Sequence, residues 1–135
     1  MSVRFLLDTN ICIYIAKRRP PEVASRFESM RPGDVGMSII TYGELLFGAE
    51  KSQHPQPAKD RLLRFVELVP VLPLPDESPR HYARIRSELE RVGTPIGAND
   101  LWIASHALAA NLILVSNNLR EFARVTELAT ENWAH

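Results

Sequence analysis

The sequence predicts an α/β fold in which helices cover both faces of a mainly parallel central sheet, and three observations lead there. Short apolar runs alternate with helix-length runs along all 135 residues, without an internal repeat or a low-complexity tract. Three acidic residues, Asp8, Glu44 and Asp100, stand where an apolar run hands over to a loop or a helix start, in FLLDTN, SIITYGELL and IGANDLWIA. In sheets of this class the ligand site lies off the carboxyl ends of the strands, and Asp8 and the segment Ser116 to Asn118 fall at two such ends.

Taken in order, VRFLL (3–7) reads as a strand ended by Asp8-Thr9-Asn10, and NICIYIAK as a helix halted before Pro20 and Pro21. PEVASRFESM reads as a second helix. Arg31-Pro32-Gly33-Asp34 turns the chain into the strand VGMS, after which Ser38 or Thr41 caps the helix that carries Glu44. HPQP (54–57) reads as a loop, AKDRLLRFVELV as a helix, and VLPL as a short strand whose prolines suit a sheet edge. PRHYARIRSELERV is a charged helix with Pro79 near its first turn, followed by the breaker-rich Gly93 to Gly97. The helix starting at Asn99 or Asp100 runs through LWIASHALAA and is apolar on nearly every face, so it should be buried on most sides. Asn111 suits a left-handed cap, and LILVS is then a buried strand with Asn117 and Asn118 just past its end.

Composition narrows the function classes. A 15.3 kDa chain with 45% hydrophobic residues suits one domain over residues 1–135, burying roughly two-thirds of its unfolded surface. Lys plus Arg equal Asp plus Glu at 16 each, so nucleic-acid contact must come from local patches. The single Cys12 excludes an intramolecular disulfide, and MSVRFLLDTN lacks the apolar length of a signal sequence, which together predict a cytoplasmic location. No apolar run approaches the roughly 20 residues that span a bilayer, so no membrane partner is expected. P-loop and dinucleotide glycine patterns are absent.

Each acid also has a purely structural reading. Asp8 and Asp100 could be helix N-caps, and Thr41-Tyr42-Gly43-Glu44 fits a capping box. Asp100 resists that reading most, because a carboxylate at the head of an apolar helix must be hydrogen-bonded, paired or metal-bound. On a helical wheel Tyr42, Leu45, Leu46 and Ala49 form one stripe and Glu44 points away from it, toward solvent or a site. If the three converge, two carboxylates at about 4 Å repel by roughly 4 kcal/mol at an effective dielectric of 20, so the cluster must hold a proton or a cation. All-oxygen ligation suits magnesium or manganese, no Cys and His pair has zinc spacing, and a hard cation among acids suits phosphodiester hydrolysis.

The segments FLLDTNICIYIAK, TYGELLFGAEKS, GANDLWIASHALA, LVSNNLREFARV and the terminal ENW, in that order and spacing, resemble the PIN-domain ribonucleases and among them the VapC-type toxins. The resemblance implies a PIN-like three-layer sandwich and a catalytic set of Asp8, Glu44, Asp100 and Asn118. Of these, Asp8, Glu44 and Asp100 would hold Mg2+, with Mn2+ able to substitute. Ser116 maps onto the family's small hydroxyl position. Asn118 stands at a position that is acidic in many PIN domains; a neutral amide there predicts one tightly held ion, with a second arriving with substrate phosphate, and Glu121 could substitute for it. The implied activity is an endoribonuclease that cuts structured RNA, often a transfer RNA, by metal-activated water and so stops translation. The implied partners are a VapB-type antitoxin whose tail covers the site and a second copy in a homodimer, with DNA met only through the antitoxin.

Asn10, Ser116, Lys17, Arg18 and Arg19 are candidates for positioning substrate, with Arg61 and Arg64 on a later helix; the alternative for the cations is a solvated face. His106 reads as a hydrogen-bonded core histidine, Cys12 as packing, and Trp102 and Trp133 as core or interface residues. The charged helix together with Ile11, Ile15, Leu46 and Phe47 exceeds what one core needs, which also points to a dimer. A receiver domain would want an adjacent acidic pair and a late lysine, and a haloacid-dehalogenase-type phosphatase would want Asp at position 10. A catalytically weak regulator that binds RNA or protein through the same fold stays open, and Asn118 favours it.

Overall fold

The computed structural model describes residues 3–134; Met1, Ser2 and His135 of the expected 1–135 domain lie outside the described residues. The chain runs β1 (Phe5–Leu7), α1 (Thr9–Lys17), α2 (Pro21–Glu28), β2 (Val35–Ser38), α3 (Ile39–Glu50), α4 (Pro55–Leu68), β3 (Val71–Leu72), α5 (Ser78–Arg91), α6 (Ala98–Ala110), β4 (Ile113–Val115), α7 (Leu119–Phe122) and β5 (Thr130–Glu131). Its five strands form one sheet in the order β3-β2-β1-β4-β5, and every pairing is parallel. The central strands β1, β2 and β4 are short, mostly apolar and largely buried because helices occupy both faces, which is why they read as apolar runs, while the edge strands β3 and β5 are half-buried.

Strand alternation divides the core in two. Leu6 and Leu114, paired in register on β1 and β4, face a cluster with Ile85 and Leu89 of α5, Leu101 and Ile103 of α6, and Phe122 of α7. Phe5, Leu7, Met37 and Val115 face the opposite cluster, with Ile11 and Ile15 of α1 and Val23 of α2. From β1 the chain fills one side of the sheet through β2 and β3, then crosses to β4 and β5, so strand order reverses between β1 and β4. That is where a parallel sheet opens a crevice.

Several local expectations are corrected by the structure. HPQP is no loop, since α4 already begins at Pro55, and prolines cost little in a first turn whose N–H groups have no intrahelical partner. Of the two candidate caps for α3, Ser38 does the work, its Oγ accepting the Ile40 N–H at 3.1 Å. Helix α6 starts at Ala98 behind Gly97, slightly earlier than expected, which puts Asp100 in the first turn and not at the cap. Ile11 and Ile15 are buried core residues, so they are no surplus for an interface, whereas Phe47, Leu63 and Leu68 are more than half exposed. Helix α7 and strand β5 had no counterpart in the sequence reading. Other features match it: β2 spans VGMS, β3 is an edge, and Asn111 caps α6 with φ 56° and ψ 49°.

Arg18 caps α1 in the left-handed region, φ 57° and ψ 33°, where an L side chain is disfavoured by about 1 kcal/mol. Arg18→Gly is therefore expected to stabilise the fold by about 0.5 to 1 kcal/mol, read as a higher urea midpoint at unchanged slope. A lower midpoint would mean that the arginine side chain holds the turn.

Candidate active site

Asp8 follows β1 directly and caps α1, its Oδ1 accepting the Ile11 N–H at 2.9 Å. Its own N–H reaches the Val115 carbonyl at 3.0 Å, which ties the start of α1 to the end of β4. The carboxyl is buried and its pKa is raised, first by that burial and further by the charge of Glu44, against hydrogen bonds from Ser116 and the Ile11 N–H. Asp8 is thus a cap, and also part of a larger polar cluster.

Glu44 sits in the middle of α3 and no capping box exists, because Thr41 is inside the helix and buried. Instead Glu44 reaches across two elements: its Oε1 accepts from Thr9 Oγ1 at 2.5 Å and its Oε2 from Asn99 Nδ2 at 3.2 Å. As the helical wheel requires, it faces the site.

Asp100, in the first turn of α6, is pushed up to about 6 by burial, then by the charges of Glu121, Asp8 and Glu44, and by a carboxyl to carboxyl hydrogen bond with Glu121. Asn118 donates through Nδ2 to Glu121 Oε2 at 3.0 Å, while its backbone N–H donates to Ser116 Oγ at 2.8 Å. The loop after β4 therefore links Asp8, Ser116, Asn118, Glu121 and Asp100 in one chain of contacts. Asn118 presents its amide N–H to an acid, and that acid lies beside Asp100.

The electrostatics ask for a cation. The charge of Glu44 raises the proton affinity of Asp8, and those of Glu121, Asp8 and Glu44 raise that of Asp100, and the donors around them are oxygens and amides, the set that suits a hard divalent ion over zinc. As the side chains stand, no three acidic, His or Cys groups among the described residues converge on one point, and Glu44 is drawn aside by Thr9 and Asn99. The donor chemistry fits magnesium or manganese, which would take the place of the proton that Asp100 holds.

Beside Thr9 and Glu44 a cavity of about 950 Å³ runs between α1 and α2 on one side and α3 and α4 on the other. Ile15, Phe27, Leu45 and Phe65 form part of its apolar wall, and Lys17, Arg18, Arg61 and Arg64 line it as well. Arg19 is exposed and stands outside that lining, and Asn10 is exposed on the first turn of α1. Cys12 is fully buried and burial pushes its thiol up, as packing demands. Trp133 is a core residue set edge-on to Phe5, and Trp102 stacks on Tyr82 with centroids 4.0 Å apart.

Residues 5–128 match the PIN domain family model. Over 131 residues, 97% of this chain and 98% of the relative, the sequence is 46% identical to Ribonuclease VapC2 of Haemophilus influenzae. It is 43% identical over 132 residues to the tRNA(fMet)-specific endonuclease VapC of Shigella flexneri, with 98% and 99% of the two chains covered. The solved structure of VapBC-1 from nontypeable Haemophilus influenzae superposes with a TM-score of 0.91 at 40% identity, covering 98% of this chain and all of that one. The chain therefore belongs to the PIN-domain family and, within it, to the VapC group.

Three participants in the acidic cluster were missed or left open from sequence. Thr9 and Asn99 each sit beside a predicted acid, in DTN and ND, and adjacency was their only signal. Glu121 was open as a substitute for Asn118, and its spacing of three residues, one turn of α7, was the clue.

Proposed function

We propose that this chain is the ribonuclease toxin of a toxin and antitoxin pair, hydrolysing phosphodiester bonds of structured RNA, foremost a transfer RNA, and thereby arresting translation. The observation that carries it is the set of three carboxyls around Asp100, those of Asp8, Glu44 and Glu121, which raise its proton affinity, with no Lys or Arg among the described residues hydrogen-bonded or ion-paired to any of the four. The names of the relatives, ribonuclease and tRNA(fMet)-specific endonuclease, support the substrate class, and the VapBC complex supports a VapB-type antitoxin. Asp8, Glu44 and Asp100, joined by Glu121, would hold Mg2+, or Mn2+ in its place. When bound, such an ion supplies Lewis acidity, polarising a phosphoryl oxygen and acidifying a water.

The chain's own groups do the rest. The Ile11 N–H and the Ser116 hydroxyl fix Asp8, Thr9 and Asn99 hold Glu44, and Asn118 aims Glu121. Lys17, Arg18, Arg61 and Arg64 line the neighbouring groove as cations for flanking phosphates. Arg19 and Asn10 have a weaker claim, being exposed outside that lining. The regulator reading rested on the neutral Asn118, and Glu121 beside Asp100 supplies the acid that Asn118 lacks. Any DNA contact would be made through the antitoxin. No helix among the described residues is long and apolar enough to cross a membrane. The exposed Phe47, Leu63 and Leu68 support a homodimer.

Antitoxin-free protein incubated with end-labelled tRNA and Mg2+ tests the activity, with Asp8→Asn purified in parallel. Equal cleavage by the two would mark a contaminant and end the proposal. Within the site, Glu121→Gln should fall with the acids, while Asn118→Ala should lose far less cleavage than Asp100→Ala. The opposite ranking would make the asparagine, and not Glu121, the fourth member. Because metal must displace the proton of Asp100, which titrates at about 6, Mn2+ affinity measured by calorimetry should fall about tenfold per pH unit below that value and level off above it. A pH-independent affinity between 5 and 7 would place the ion elsewhere.

A further inference from the structure

We propose that the buried contact between His106 and Ser38 sets the register of the two helices that carry Glu44 and Asp100, which makes His106 a positioning residue of the acidic centre. The functional half of this inference rests on the ribonuclease reading; the structural half does not.

His106 lies in α6 at 1% exposure, and its Nδ1 is 2.9 Å from the Oγ of Ser38, which is fully buried. Ser38 ends β2 and caps α3, so the imidazole bonds to the residue that fixes where α3 begins. A second bond joins the same two helices at the site, from Asn99 Nδ2 to Glu44 Oε2 at 3.2 Å. The two rungs pair the start of α3 with the later half of α6, and the middle of α3 with the start of α6, so the helices pass in opposite senses. Asn99 and His106 are seven residues apart, two turns on one face, about 10.5 Å along the axis; Ser38 and Glu44 are six apart, about 9 Å. These lengths nearly match. One rung is buried, and the other is exposed and ends on a carboxylate that a ligand would claim.

Helix α6 buries Leu101, Ile103, Ala104 and Ala107 in the core cluster that it shares with α5 and α7, an apolar contact that carries no direction of its own toward α3. Sliding α6 by one residue would move Asp100 by about 1.5 Å and swing it by about 100°. A buried polar pair is satisfied in one register only, and specificity is what such pairs can supply where an apolar residue would pack as well. Burial also pushes the imidazole down to about 4, so it stays neutral under ordinary conditions and the contact is between uncharged groups.

The test uses three variants of the full chain. His106→Asn can place an amide near Nδ1 but leaves a cavity; His106→Phe fills the space without a nitrogen; Ser38→Gly removes the hydroxyl while keeping a tolerated cap. The side-chain amide resonances of Asn99 report its bond to Glu44 without metal or RNA. They should move in His106→Phe and Ser38→Gly and stay near wild type in His106→Asn. Mn2+ affinity should weaken severalfold in the first two, with kcat for RNA lower by about tenfold or more and KM unchanged, since the groove cations are untouched. Thermal stability should rank the other way, Phe above Asn. A folded His106→Phe with native Asn99 resonances overturns the register, as does cleavage that simply follows melting temperature across the series. Should His106→Phe not fold, Ser38→Gly decides by the same readouts. A wild-type chain that cuts no RNA would sink the ribonuclease reading, while the Asn99 resonances would still judge this one.

Discussion

Asp100→Asn is expected to reduce RNA cleavage by about two to three orders of magnitude and, in metal-free protein at neutral pH, to raise the melting temperature by a few degrees. The loss follows from the charge: an amide keeps the shape of the carboxyl but withdraws the anion nearest to Glu121, on which cation binding depends. The gain follows from the same repulsion. Burial and the charges of Glu121, Asp8 and Glu44 push Asp100 up to about 6, so the folded chain holds this proton more tightly than the unfolded chain, where the value is about 3.9. The carboxyl's contribution to stability is therefore complete below the unfolded value and is withdrawn as pH rises through about 6. Wild type and variant should melt together near pH 4 and separate above about 7. Adding Mn2+ should reverse the order, because an ion that binds only the folded wild type stabilises only the wild type. Calorimetric melting at both pH values, with and without Mn2+, reads all of this. An Asp100→Asn protein less stable than wild type at neutral pH would show that the carboxylate supports the fold and bears no repulsion.

Leu114→Ala should be the most damaging change outside the acidic cluster, costing about 3 to 5 kcal/mol. Leu114 has no exposed surface, pairs with Leu6 on β1 and Thr130 on β5, and faces the cluster built by α5, α6 and α7. Neighbours on both strands and in the helices above prevent the cavity from closing. A domain of ordinary stability holds about 5 to 15 kcal/mol in all, so this one truncation removes a large share and should lower the melting temperature by about 10 °C or more. Ser116 stands two residues further on, just past the end of β4, so the bond that steadies Asp8 should loosen as well. Leu114→Ile, which conserves volume, should cost less than about 1.5 kcal/mol. Urea unfolding measures both variants; a loss below about 1 kcal/mol for the alanine would mean that the sheet and α6 repack around the gap.

What the sequence by itself determined were the features that local rules control. β1 and β2 were legible as short apolar runs between breakers, and α5 as a charged amphipathic stretch entered through Pro79. Asn111 was legible as a left-handed cap, because few residues with a side chain accept φ 56°. Asp8 and Asp100 could be located at a strand end and a helix start, and a parallel α/β sheet gathers such ends on one edge, whereas Glu44 lies in the middle of α3. His106 and Cys12 could be placed in the core from the apolar runs around them.

Tertiary structure decided the rest. Helix α4 could begin at Pro55 because first-turn prolines suit a helix that packing elsewhere holds in place, and β5 exists because two residues find the open edge of β4. Ile11 and Ile15 proved to be core because α1 lies against the sheet. Above all, Asn118 pointed from sequence to a weakened site, whereas in space it orients Glu121 toward Asp100. The physical reason is range. Capping, chirality and apolar period act within a few residues, but carboxylate repulsion and side-chain hydrogen bonds such as those of Glu44 and His106 act across contacts whose partners lie far apart in the chain and meet only once the sheet has closed.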